Sequence, residues 1–242
     1  MKLVIITGGS KGIGKSLVKR FCEEKYSVVS ISRTKLDFSH RFFLTQFFID
    51  ITSFEKVEKV FKKIDDLVSK SDLKQIFLIN NAGRIGEIRK VENLSSSDIT
   101  KTIDLNLSAP IILSSLFLSI LKPKAKSSRI INISSGASVS PYYGWMAYCC
   151  SKAGVEMMTK TISIEQSEDT FFKSLSIKPG VVDTQMQDKI RQSSRQDFKD
   201  VDKFIQLKKQ RRLYSADYSA EKIFKIIDRD SYESGDSIDI RN

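Results

Sequence analysis

Short runs rich in β-branched and aliphatic residues at 3–7, 27–32, 44–49, 75–80, 129–133 and 173–178 punctuate the chain. Runs of this kind mark strands buried on both faces, as in a parallel sheet. Between them, Val57, Val60, Phe61, Ile64, Leu67 and Val68 recur at a spacing that gathers all six on one helical stripe. Further helices are predicted over 13–24, 97–121, 143–167 and 216–230, and a short edge strand over 237–240. Strand alternating with helix predicts an α/β fold, a mostly parallel sheet covered by helices on both faces. The stretch 182–214 breaks the pattern, with weak periodicity and many charges. It reads either as a mobile lid or insertion, or as an ordinary pair of surface helices.

At 242 residues, with 40% hydrophobic and 29% charged positions, the chain has the composition of one folded domain spanning 1–242. The apolar run at 111–121 is interrupted by Ser114, Ser115 and Ser119 and falls short of the roughly 20 residues a membrane helix needs. The first residues form too short an apolar run for a signal peptide before a glycine-rich turn begins. The expectation is a cytoplasmic protein with no membrane partner. A net charge of +11 raises the question of nucleic acid, the densest basic run being 199–212. Asp200 and Asp202 interrupt that run, Phe204, Ile205 and Leu207 give it an apolar side, and no nucleic-acid motif accompanies it. Attraction for an anionic cofactor is the simpler use. Cys22, Cys149 and Cys150 form no disulfide framework or metal spacing, the last two being adjacent on a predicted helix. The single histidine, His40, removes most histidine-based metal and triad mechanisms and is placed in a surface loop.

Candidate chemistry begins directly after the first strand, where Thr7-Gly8-Gly9-Ser10-Lys11-Gly12-Ile13-Gly14 opens a helix. Strand, glycine-rich turn and helix occur in the order that dinucleotide binding requires. Glycines let the backbone approach a pyrophosphate, and the helix start offers N–H groups and partial positive charge. A tight turn without a ligand is the plainer reading. At the end of the second strand, an NAD-selective protein carries an acid for the ribose 2′-hydroxyl. This chain has Ser32-Arg33 instead, and a planar guanidinium suits a 2′-phosphate, with Lys11 as a second cation. NADPH/NADP+ is therefore the expected cofactor, unless both cations are merely solvated.

Tyr148 and Lys152 stand one helical turn apart, so an ammonium can lie beside a phenol and lower its pKa from about 10. Taken alone, the pair also fits a packed tyrosine beside an exposed lysine. Ser135 lies thirteen residues upstream of Tyr148. Ser134 offers a second hydroxyl, but that spacing selects Ser135.

Together the glycine motif, Asn80-Asn81-Ala82-Gly83, Ser135, Tyr148-x3-Lys152 and Pro179-Gly180 resemble the short-chain dehydrogenase/reductase family in order and spacing over nearly the whole chain. The resemblance implies a single Rossmann-type doubly wound domain with seven strands and a catalytic set of Ser135, Tyr148, Lys152 and Asn106. Asn106 would position a water connecting Lys152 to solvent; otherwise it is a helix asparagine bonded to backbone. Cofactor contacts are implied at Gly8, Ser10, Lys11, Gly12, Ile13, Gly14, Arg33, Asp50, Ile51, Asn81, Ala82, Gly83, Pro179, Gly180, Val182 and Thr184, besides Tyr148 and Lys152. Within the family, the segments 135–148, 179–186 and 234–239 look most like the sepiapterin reductase and benzil reductase branch, which implies reduction of a ketone or vicinal diketone. Tyr143, Trp145 and Met186 would then wall the substrate pocket or serve only in packing. Asp239 would anchor a pterin, or lie exposed near the chain's end. The resemblance further implies a homodimer, with a tetramer as the alternative. A catalytically silent cofactor-binding sensor and a basic nucleic-acid binder are the competing classes, and the intact Ser135, Tyr148 and Lys152 speak for the enzyme.

Overall fold

The structure, a computed structural model, describes residues 1–37, 43–69 and 71–242, so the placement of His40 lies outside the described residues. One seven-stranded sheet runs in the order β3-β2-β1-β4-β5-β6-β7, and every neighbouring pair is parallel. Its strands are β1 (Lys2–Thr7), β2 (Ser27–Ser32), β3 (Leu44–Phe48), β4 (Leu73–Asn80), β5 (Ala125–Ile133), β6 (Phe172–Lys178) and the short edge strand β7 (Ser237–Asp239).

The unbroken apolar runs are explained by the two faces they serve. In β1, Leu3 and Ile5 point into one core while Val4 and Ile6 point into the other, and β4 repeats this with Ile76 and Leu78 against Phe77 and Ile79. Side chains alternate across a strand, so burial on both faces puts apolar residues at successive positions. The first core is closed by α2 (Phe54–Val68), α4 (Ala109–Leu116) and α5 (Met146–Glu165) through Phe61, Leu113 and Ile162. The second is closed by α1 (Gly12–Glu23) and α8 (Ala216–Arg229) through Phe21 and Phe224, whose rings meet edge to face 5.1 Å apart.

The helix predicted over 97–121 is part of a continuous helical stretch, Ser96–Lys124, that includes α3 (Ser96–Ile103) and α4. Two π-helical turns, Asp104–Ser108 and Phe117–Leu121, widen it. It is long and apolar enough to cross a membrane, yet Ala109, Leu113, Phe117 and Leu121 are fully buried in the first core. Residues 182–214 form a helix pair, α6 (Gln185–Arg191) and α7 (Val201–Lys209). Its underside is apolar: Ile190, Phe198, Val201 and Phe204 join Trp145 and Tyr148 in a third buried cluster. The Lys189 ammonium ties α6 to the connection after β4 by donating to the Gly86 carbonyl at 2.7 Å.

The connections leaving β1 and β4 run in opposite directions across the sheet, which opens a crevice at the carboxyl ends of these strands. There a cleft of about 1120 Å³ extends from Arg33 at one end to Trp145 and Phe204 at the other.

Candidate active site

Every candidate catalytic, cofactor or substrate contact named from the sequence lines this cleft except Asn106, Tyr143 and Asp239. Its first half is built by the glycine turn. Gly8 has φ +69° and Gly12 φ +49°, a region that favours glycine, and a Cβ on Gly14 would stand 2.3 Å from the Gly8 carbonyl oxygen. Backbone therefore approaches the cleft where side chains cannot fit. The first turn of α1 carries no acidic residue, and no side chain caps it, so its unbonded N–H groups and partial positive charge are directed at the cleft. The Thr7 hydroxyl accepts from the backbone N–H of Asn81 at 3.0 Å and of Ala82 at 3.1 Å, and the Asn81 amide donates to the Thr7 carbonyl at 2.8 Å. These bonds fix the ends of β1 and β4 against each other. A dinucleotide fits this cradle: glycine turn and helix start for its phosphates, Asp50 and Ile51 beside one end, Thr184 and Val182 facing the other.

At the far end of that half, the Arg33 guanidinium is 77% exposed and 3.9 Å from Asp50 Oδ2. The other carboxylate oxygen of Asp50 accepts from the Thr52 N–H at 3.0 Å and the Thr52 hydroxyl at 2.9 Å. Lys11 reaches across the cleft to Gln185 Oε1 at 3.4 Å, and Thr34 donates to the Ser10 hydroxyl at 2.9 Å.

The second half holds Tyr148, Lys152 and Ser135. Tyr148 and Lys152 project from one face of α5, and both are buried. The Lys152 ammonium donates to the Ile133 carbonyl at 2.7 Å and stands 5.9 Å from the centroid of the Tyr148 ring. Burial lowers the Lys152 pKa to about 8, the Glu156 carboxylate pulling the other way. Burial likewise raises the Tyr148 phenol above its ordinary value, and a hydrogen bond from Ser135 opposes that rise. The depression of the phenol by Lys152 expected from sequence is thus outweighed: desolvation penalises phenolate, and the ammonium is engaged by a backbone carbonyl. The Ala137 N–H donates to the Ser135 hydroxyl oxygen at 3.1 Å and orients it. The Ser134 hydroxyl is committed elsewhere, donating to Glu156.

Three candidate residues do not line the cleft. Asn106 is 1% exposed in the first π-helical turn and does not line the cleft. Its side chain accepts from the Arg84 N–H at 2.9 Å and donates to the Arg84 carbonyl at 2.8 Å and to the Ser151 hydroxyl of α5 at 3.1 Å. Tyr143 faces outward beneath Lys199, which sits 5.5 Å over its ring; its neighbour Tyr142 is the cleft wall. Asp239 is paired with Arg241, whose Nε donates to it at 2.8 Å, and these bonds hold its carboxyl below the usual range. The cleft-facing member of that pair is Arg241.

Trp145 and Met186 do line the cleft. Trp145 stacks between Tyr142 at 4.6 Å and Phe198 at 4.9 Å and meets the Tyr148 ring edge to face at 5.7 Å. With Phe204, Ile190 and Val181, this makes the end beyond Tyr148 aromatic and apolar. Tyr142, Phe204, Arg241 and Glu156 escaped the sequence reading. Their only signals were an aromatic doublet, an apolar position in a charged stretch, and two charges without a motif.

The short chain dehydrogenase family model matches residues 2–195. Benzil reductases ((S)-benzoin forming) from Bacillus cereus and Bacillus subtilis strain 168 are each 37% identical, covering 99% and 100% of this chain and 99% of their own length. A sepiapterin reductase of Xenopus laevis is 26% identical over 98% of this chain and 94% of its own. Among solved structures, 4-hydroxyisoleucine dehydrogenase complexed with NADH superposes with a TM-score of 0.75 at 26% identity, covering 99% of this chain and 96% of that one. ElxO with NADP bound gives 0.81 at 24% identity, covering 99% and 96%.

Proposed function

The chain belongs to the short chain dehydrogenase family, an oxidoreductase acting on carbonyl and hydroxyl groups, and from that premise we propose that it is an NADPH-dependent reductase of aromatic ketones and vicinal diketones of the benzil type. What carries the reading is the convergence of the Ser135 hydroxyl, the Tyr148 phenol and the Lys152 ammonium on one wall of a cleft whose outer end is aromatic. When bound, the reduced nicotinamide supplies a hydride to the substrate's carbonyl carbon. Tyr148 is the acid. Its burial keeps the phenol protonated until the substrate oxygen becomes basic, and the proton then moves from the phenol to that oxygen. Ser135, oriented by the Ala137 N–H, donates to the same oxygen and stabilises the charge growing on it. Lys152 stands over the ring that is left as phenolate and, in the same position, can hold a ribose hydroxyl. Arg33, with Lys11, supports the choice of NADPH over NADH.

The pairing of Asp239 with Arg241 and the wall of Tyr142, Trp145 and Phe204 favour a flat aromatic diketone over a pterin. α6 and α7 cover the substrate end and act as its lid. We assign the chain to a homodimer, because the outer face of α4 and α5 leaves Ile111, Met157 and Ile164 exposed.

The test is turnover, followed by NADPH absorbance, with benzil, sepiapterin and simple aldehydes. Benzil is expected to be the best of the three. Tyr148→Phe is expected to bind NADPH as the unaltered protein does and to lose at least about a hundredfold in turnover, the scale of a missing general acid. Substantial turnover in that variant would refute the assignment of Tyr148.

A further inference from the structure

One turn beyond Lys152 on the same helix, Glu156 is a buried carboxylate that the mechanism above does not use. Its surroundings are unusual for a carboxylate inside a core. One oxygen accepts from the hydroxyls of Ser134 and, at 3.1 Å, Ser138; the other accepts from Ser176 on β6. The Lys178 ammonium, also from β6, lies 3.6 Å away and donates to Ser237 on β7 at 2.6 Å. Burial by itself would raise this carboxyl, but the bonds from Ser134, Ser176 and Ser237 and the charge of Lys178 more than offset it, and the group stays below the usual range. Four elements thus converge on one anion: α5, the turn that carries Ser135, β6 and β7.

A buried charge satisfied in this way is weak evidence for stability, because a well-packed apolar side chain of similar volume serves as well. What a carboxylate adds is a field, and one turn back along α5 that field meets the buried Lys152. We propose that Glu156 is a positioning residue for catalysis: it keeps Lys152 in its ammonium form and, through Ser134 and Ser138, holds the turn that presents Ser135. The inference rests on the assignment of Lys152 and Tyr148 made above. Against the Lys152 ammonium stand the Tyr148 ring from α5 and the Ile133 carbonyl from β5, with Glu156 one turn further along α5. Lys178 stands behind Glu156, and the Asp239–Arg241 pair of the C-terminal strand lies beyond it.

The sign follows from the charges. Lys152 works as a cation, and a neighbouring anion raises its pKa. Removing that anion lowers the pKa, so the ammonium is lost at lower pH and the alkaline limb of the rate profile moves down. Glu156→Gln and Glu156→Met, two neutral side chains of similar length and different polarity, provide the test, with kcat/KM for benzil and NADPH measured from pH 6 to 10. Both are expected to displace the alkaline limb downward by at least about half a pH unit, which is roughly a threefold lower rate above both limbs. Near pH 6.5, where Lys152 stays charged in either case, the loss is expected to be smaller. If one variant fails to fold, the other is read. Limbs that coincide with the unaltered protein's, or failure of both variants to fold, would reduce Glu156 to an architectural role and overturn the proposal. Tyr148→Phe measured alongside separates the two assignments: full activity there condemns the site itself, whereas an inactive Tyr148→Phe with coincident limbs condemns only the role of Glu156.

Discussion

Arg33 is close enough to Asp50 for attraction and too far for a good hydrogen bond, at 3.9 Å. Asp50 is in any case committed through its other oxygen to Thr52. The guanidinium therefore keeps its donors for a third party, and a phosphate on the adenosine ribose is the anion its planar fork suits. Charge-assisted bonds of this kind contribute about 1.5–3 kcal/mol, so the expected preference for NADPH over NADH is roughly ten- to a hundredfold in kcat/KM. Arg33→Asp is expected to abolish or reverse it, since a carboxylate repels the phosphate and accepts from a free 2′-hydroxyl. Equal use of both cofactors by the unaltered protein would remove the argument. This residue was legible in the sequence because its position is fixed by a strand end. Glu156 was not, since its meaning depends on serines from three separate stretches of chain that only the fold assembles. The same holds for Tyr142 and Tyr143: adjacent aromatic residues in a turn can each face the cleft, and which one does is decided by the path of the turn before α5.

At the scale of elements, β-strand runs and amphipathic stripes located the sheet and most of the helices, because a parallel sheet writes its two-faced burial directly into the sequence. Helix starts were less legible. The helix predicted from residue 143 begins at Met146, after a turn in which Gly144 takes φ +81°. The stretch 182–214 was opaque for a different reason. Its buried residues Ile190, Phe198, Val201 and Phe204 come from two short helices and the turn between them, so no single helical period gathers them. Phe198 is the fixed point of this pair: it is fully buried, stacked on Trp145 and 5.5 Å from Phe204. Phe198→Ala is expected to cost about 3–5 kcal/mol in the packing of the helix pair. Because Trp145 also walls the cleft, the variant is expected to raise KM for benzil by more than it lowers kcat, while leaving NADPH affinity close to that of the unaltered protein. An unchanged KM would separate the helix pair from substrate binding and dismiss it as a lid.

At the scale of the molecule, α4 and α5 carry apolar side chains that the fold leaves exposed. Met157 and Ile164, 64% and 75% exposed, lie a helical heptad apart on α5, and Ile111 is half exposed on α4. The chain carries a net charge of +11, so two copies repel at long range. Many cations are locally neutralised, however: Lys122 pairs with Asp169, Lys124 with Asp65 and Arg129 with Asp230. Burying exposed apolar side chains gains about 25 cal/mol per Å² removed from water, a term that salt does not screen, whereas the repulsion between like-charged copies weakens as ionic strength rises. Dimerisation through α4 and α5 is therefore expected to strengthen with salt. The mass in solution, measured by sedimentation at low and at moderate ionic strength, is expected to be that of two chains of 27.5 kDa, with dissociation favoured at the lower value. Met157→Glu with Ile164→Glu is expected to give monomers that still fold, because neither residue contributes to a buried core. Since α5 also carries Tyr148 and Lys152, turnover in that monomer reports whether the helix holds its catalytic face without a partner. A pair of glutamates that leaves the protein dimeric would place the interface elsewhere on the surface.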